Sequence, residues 1–146
     1  MTPPRLQKLL DTFAMFPDPA DRTDLLLSYA DQFKEVPPAI ATRPFPRSHQ
    51  VPQCESDAYV WAQKLPDDTL KLYFAVENPS GVSAKALAAI LDRTLSGLPA
   101  SEIATINTDI VEKIFRQNIS MGKGMGLMSM IQAVAALARA ATAKNP

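Results

Sequence analysis

Hydrophobic positions along the chain change their period several times, and each change marks an element. Leu6, Leu9, Leu10 and Phe13 recur at three- and four-residue spacing, which predicts an amphipathic helix over residues 4–16. Thr2 is its expected N-cap, with Pro3 and Pro4 in the first turn. Asp18-Pro19, a capping residue followed by proline, starts a second helix whose stripe is Leu25, Leu26, Tyr29 and Phe33. From residue 34 to 52 the run KEVPPAIATRPFPRSHQVP cannot be helical, because proline removes backbone donors and restricts the residue before it. Two strands follow. Residues 57–65 (DAYVWAQKL) are rich in β-favouring Tyr, Val and Trp. Residues 70–77 alternate, with Leu70, Leu72, Phe74 and Val76 on one face. Pro66 to Thr69 is turn chemistry, so the pair forms an antiparallel hairpin. Tyr59 and Trp61 share a face and are expected to pack beneath helices. A short edge strand over residues 49–53, bent by Pro52, is expected to complete the sheet.

The second half is helical. Leu87, Ile90, Leu91, Thr94 and Leu95 form a stripe that starts near Ser83 and ends at Gly97. Shorter helices fit residues 99–105 and 108–116, and a last one, roughly 122–143, carries Leu127, Met130, Ile131, Val134 and Leu137. Contiguous strands with segregated helices predict an α+β fold built on a three-stranded antiparallel sheet. The 146 residues fit one domain, 1–146.

Charge narrows the partners. Fifteen basic against fifteen acidic residues give no net charge, which disfavours nucleic acid and anionic membrane as targets. The longest apolar stretch is interrupted by Ser129, Gln132 and Arg139 and is expected to be too short to span a bilayer. One cysteine and one histidine leave no CxxC pair and no multi-histidine zinc site, so neither metal nor cofactor is expected. The first residues lack the apolar core of a secretory signal, and a lone thiol suits a reducing, cytoplasmic setting.

Cys54 is the candidate for chemistry. It sits in VPQCESDA, between a proline-bent segment and the hairpin, where loops carry functional groups. Burial as a small hydrophobe is the competing reading, and position alone does not choose between them. His49 is the only imidazole available as a base. An extended stretch at ~3.3 Å per residue would hold it about 16 Å from Cys54, so a Cys–His enzyme is a weak reading. A solvated or partner-facing His49 is the better one. The GKGMG run at 122–126 lacks the spacing of a phosphate loop. Its glycines read instead as close backbone packing, with Lys123 an exposed cation at a helix start. Met121, Met125, Met128 and Met130 read as core or adaptable contact surface.

The block SHQVPQCESDAYVWA, with a cysteine after a Val-Pro turn and Trp61 seven residues on, resembles the SufE family of sulfur acceptors. NPSGVSAKALAAIL, LPASEI and NISMGKGMGLMSMIQAV resemble that family's helical second half, and the likeness runs from about residue 5 to 140. It implies a SufE/IscU-like fold. It also implies that Cys54 accepts persulfide sulfur from a SufS-type cysteine desulfurase, stimulates that enzyme, and passes the sulfur to a SufB-type scaffold. One thiol suffices for such a relay, because both exchanges are with another protein. The contact surface implied around Cys54 comprises Arg47, His49, Glu55, Asp57 and Lys123, with Arg43 nearby. Two positions depart from the family pattern: Gln53 stands where glycine is common, and Lys123 where arginine is frequent. Two alternatives stay open, a regulator that binds the desulfurase without carrying sulfur and, less favoured, a stand-alone thiol enzyme. The 51–57 loop is expected to tuck the thiol towards Met125 or Leu127, shielding it until a desulfurase docks.

Overall fold

The first helix, α1 (Pro4–Ala14), turns Leu6, Leu9, Leu10 and Phe13 inward as their spacing requires. The computed structural model describes residues 2–143. Pro3, not Thr2, is the N-cap of α1: its extended backbone points its carbonyl at the Gln7 N–H, and no side chain caps the end. Helix α2 (Pro19–Ala30) is capped as expected, Asp18 accepting from the N–H groups of Ala20 and Asp21. It ends before Phe33, which packs from the following turn.

Strands β1 (Ala58–Lys64) and β2 (Thr69–Val76) pair antiparallel with Ala58 opposite Val76 and Lys64 opposite Leu70. Helix α3 (Val82–Leu95) follows, and Gly97, at φ +91, turns the chain back to the sheet. The third strand is β3 (Leu98–Pro99), which pairs with Thr69 and Leu70 of β2. The expected strand at 49–53 is absent. Residues 47–49 form a single 3-10 turn, and only Gln50 bridges to Tyr59. The 3-10 turn spends the N–H groups of His49 and Gln50 on the carbonyls of Pro46 and Arg47, which leaves Val51 N to pair with Ala58 O. The sheet is three-stranded and antiparallel, in the order β1-β2-β3, but its strands are not contiguous in sequence. Three helices close the chain: α4 (Ala100–Ile103), α5 (Asp109–Phe115) and α6 (Met121–Ala143).

One face of the sheet, with Val60, Leu70, Leu72, Phe74 and Val76, meets the helices and forms the main core. The other carries Tyr59 and Trp61. The proline-rich crossing covers them rather than a helix: Phe45 lies 5.2 Å from both rings, and His49 stacks on Trp61 at 5.3 Å. Both sheet edges are capped in part by side chains and single backbone groups. On β2, Leu70 O accepts from Gly97 N, Leu72 N donates to Ser96 Oγ, and Phe74 O accepts from Val36 N. On β1, Ala58 O accepts from Val51 N, and Val60 O bonds Nδ1 of His49.

The apolar run of α6 is longer than its polar interruptions suggested. By length and composition alone, Met121–Thr142 would suffice to cross a bilayer. In the fold its apolar face is occupied by the core, through Leu127, Met130, Ile131, Val134 and Ala138. A buried arginine ties the helices together away from the hairpin. Arg22 of α2 donates to the carbonyls of Phe13, Lys113 and Ile114, serving the C-terminal ends of α1 and α5. Burial, and the charge of Arg116, lower its pKa from the usual arginine value.

Candidate functional site

Cys54 occupies a tight turn between the crossing and β1. Gln53 before it and Asp57 after it both adopt left-handed backbone, at φ 58 and φ 50. The Asp57 N–H closes the turn on Cys54 O at 3.2 Å, and Asp57 O accepts from Glu77 N at 3.1 Å. Asn78 N donates to Ser56 O, and Asn78 Nδ2 to Glu55 O at 3.2 Å, so the end of β2 holds the turn from behind.

The thiol is half-buried and stands between two hollows. The inner one is a cavity of about 180 Å³ roofed by the turn and walled by the start of α3 and the start of α6. Ser56, Asn78, Ser80, Ser83 and Lys123 give it a polar lining, and Leu127 an apolar corner. The outer hollow is an open depression of about 560 Å³ that includes Arg47, Pro52 and Gln53. Cys54 and Glu55 line both. Neither α3 nor α6 has an acidic residue in its first turn. The positive ends of two helix dipoles and the Lys123 ammonium therefore border the inner cavity, against one carboxylate, Glu55. That field suits an anionic sulfur.

The residues picked from sequence separate into three positions. Glu55 and Lys123 meet Cys54 at the inner cavity, and Arg47 meets it at the outer hollow. Asp57 is exposed and lines neither, serving the turn through its backbone. His49 also lines neither: it is half-buried, bonded through Nδ1 to Val60 O at 2.9 Å and stacked on Trp61. It clamps the crossing to β1 rather than standing free in solvent. Arg43 is likewise engaged, donating to Glu35 at 2.8 Å and to Glu77 at 3.1 Å. Of the two side chains expected near the thiol, Leu127 lines its cavity, while Met125 lies on the far side of α6 and is 51% exposed.

Sequence reasoning missed Asn78 and Ser80, whose NPSG neighbourhood reads only as a turn. It had the right physical reading of GKGMG, which is helical rather than a phosphate-binding loop. Gly126 packs directly beneath the Gln53–Cys54 backbone.

A family model described as "SufE: Fe-S metabolism associated domain" matches residues 7–138. The chain belongs to the SufE family. Association with iron–sulfur metabolism comes with that membership. A curated relative, SufE-like protein 1, chloroplastic/mitochondrial, from Arabidopsis thaliana, is 28% identical over 131 residues. That match takes in 89% of this chain and 33% of the relative, so the chain spans about a third of the relative's length. Among solved structures, the solution structure of a hypothetical protein from Thermus thermophilus superposes with a TM-score of 0.76 at 24% identity. It covers 98% of this chain and 99% of its own, a likeness of fold.

Proposed function

We propose that this SufE-family protein is a sulfur acceptor and relay, with Cys54 the residue that carries the cargo. Its donor is the persulfide of a SufS-type cysteine desulfurase. The Cys54 thiolate attacks the outer sulfur of that persulfide, the donor's sulfur–sulfur bond breaks, and the donor cysteine leaves as thiolate. Cys54 now bears the persulfide, with no net oxidation or reduction. A thiolate of the next protein, a SufB-type scaffold, attacks the outer sulfur in turn and restores the Cys54 thiolate.

The observation that carries this reading is the placement of the chain's one cysteine between an inner cavity and an open face. A volume of about 180 Å³ is that of roughly six waters, ample for one extra sulfur atom. The helix starts and Lys123 would hold the persulfide anion there, away from oxidants and small thiols. Delivery requires the outer face, where Arg47 and Glu55, with exposed Asp57 on the same turn, give mixed charge suited to local matching with a partner. His49 supports that face from behind.

The test is incubation with a SufS-type desulfurase and cysteine, followed by intact mass. One added sulfur atom on the wild type, absent from Cys54→Ser, is the expected result. No adduct together with no stimulation overturns the relay. Stimulation that survives Cys54→Ser would make the protein a regulator that carries nothing. Reversing Arg47 or Lys123 to Glu is expected to weaken stimulation, whereas Lys8→Glu on exposed α1 is expected to leave it unchanged.

A further inference from the structure

Three glycines stand in the first two turns of α6, where almost any other residue makes better helix. Their surroundings differ. A β-carbon at 122 would meet only Oε1 of Glu55, at 3.8 Å, and one at 124 only the tip of the Ile119 side chain, at 3.4 Å. Both are ordinary contacts. A β-carbon at 126 would stand 3.2 Å from the carbonyl oxygen of Gln53 and 3.3 Å from Cα of Cys54. Those are backbone atoms, and no rotamer change moves them aside.

One of the two partners would have to yield. Helix α6 is fixed in the core by Leu127, Met130 and Ile131, all at most 3% exposed. The turn has solvent above it, with Pro52, Gln53 and Glu55 exposed. The turn is therefore the part that moves, and it moves outward.

We propose that Gly126 is the positioning residue that sets the depth of Cys54. The missing side chain lets the turn settle onto α6 with its thiol over the inner cavity, and a β-carbon at 126 pushes the turn outward by a few tenths of an ångström, loosening the seat of the thiol. The purpose of that depth rests on the sulfur-acceptor reading; the steric relation does not. A desulfurase that exposes Cys54 would then have to lift the turn off Gly126, which a β-carbon begins in advance.

Alkylation of Cys54 by iodoacetamide tests it, since the thiolate displaces iodide and the chain has no second cysteine. Rates are taken where the fluorescence of Trp61, the one tryptophan, shows the protein folded. Gly126→Ala is expected to alkylate about fivefold faster than wild type, and Gly126→Ser at least as fast. Gly124→Ala, the control on the same helix, is expected to stay at the wild-type rate. Added desulfurase should accelerate the wild type and change Gly126→Ala little. A structural role alone would lower stability and leave the folded-state rate at the wild-type value. That outcome, or a slower rate, overturns the proposal. So does outright unfolding of both variants, because the turn and not the core has to give. Failure of wild-type Cys54 to take up sulfur would refute the acceptor reading and leave this comparison standing.

Discussion

Residues 43–51 and residues 53–57 adjoin in the chain and are held by opposite means. The first stretch is fastened by side chains. Arg43 forks to Glu35 and Glu77, Phe45 fills the space over Tyr59 and Trp61, and His49 is bonded to Val60 O. Val51 ends the stretch at 1% exposure. The second is held chiefly by its backbone, with two residues in a conformation that L side chains seldom adopt. Little side-chain packing would be lost if it moved. On the sulfur-acceptor reading proposed above, a thiol that is both guarded and presented needs a firm base and a yielding tip; the boundary between the two stretches falls at Pro52.

The contrast can be broken most directly at Phe45. Phe45→Ala is expected to cost about 3–4 kcal/mol in urea unfolding, since a nearly buried ring leaves a cavity between two others. A loss below about 1 kcal/mol would mean the crossing is not fastened by its side chains. His49→Ala removes one hydrogen bond and one ring stack, and should cost about 1–2 kcal/mol in the same measurement. The tip should respond with the other sign. Gln53→Gly is expected to stabilise by about 0.5–1 kcal/mol, because glycine adopts positive φ without steric penalty. A lower unfolding midpoint for that variant would show that the turn is not strained.

The smallest effect concerns pH. Burial raises the phenol pKa of Tyr59 above its ordinary value, and the carboxylates of Glu77 and Asp57 push in the same direction. The fold therefore favours the neutral phenol. Its contribution is complete below the unfolded value near pH ~10 and is lost as pH rises through the higher folded value. Tyr59→Phe should flatten that part of the alkaline unfolding profile. An unchanged slope would assign it to other groups.

The elements legible in the sequence are those with a period. The alternation in β2 and the three- and four-residue stripes of α1 and α3 state their buried faces directly. Strand β3 was not legible, because two residues carry no period and Leu98-Pro99 reads equally well as a helix start. The cover over Trp61 was missed for the same reason: a proline-rich segment packs by shape, residue by residue, and leaves no repeating pattern. Cys54 stood out because its neighbours are polar and its segment cannot be helical. The left-handed turn before it was foreshadowed only by the resemblance, in which glycine is common where Gln53 stands. That Gly126 differs in kind from Gly122 and Gly124 depends on what lies across from each, which no local pattern encodes.

The capped stretches along the margins of the small sheet bear on how the protein behaves at high concentration. An exposed strand margin offers unpaired amides and carbonyls to any other chain, and is a common start for polymerisation. Here β2 has outward groups bonded to Gly97 N, Ser96 Oγ and Val36 N, while carbonyls of β1 bond Val51 N and Nδ1 of His49. These caps interrupt, at residues 58–60 and 70–74, the ladder that a neighbouring copy would extend. His49 thereby acquires a second consequence: its removal would free the Val60 carbonyl beside a hydrophobic strand, and with it a starting point for self-association.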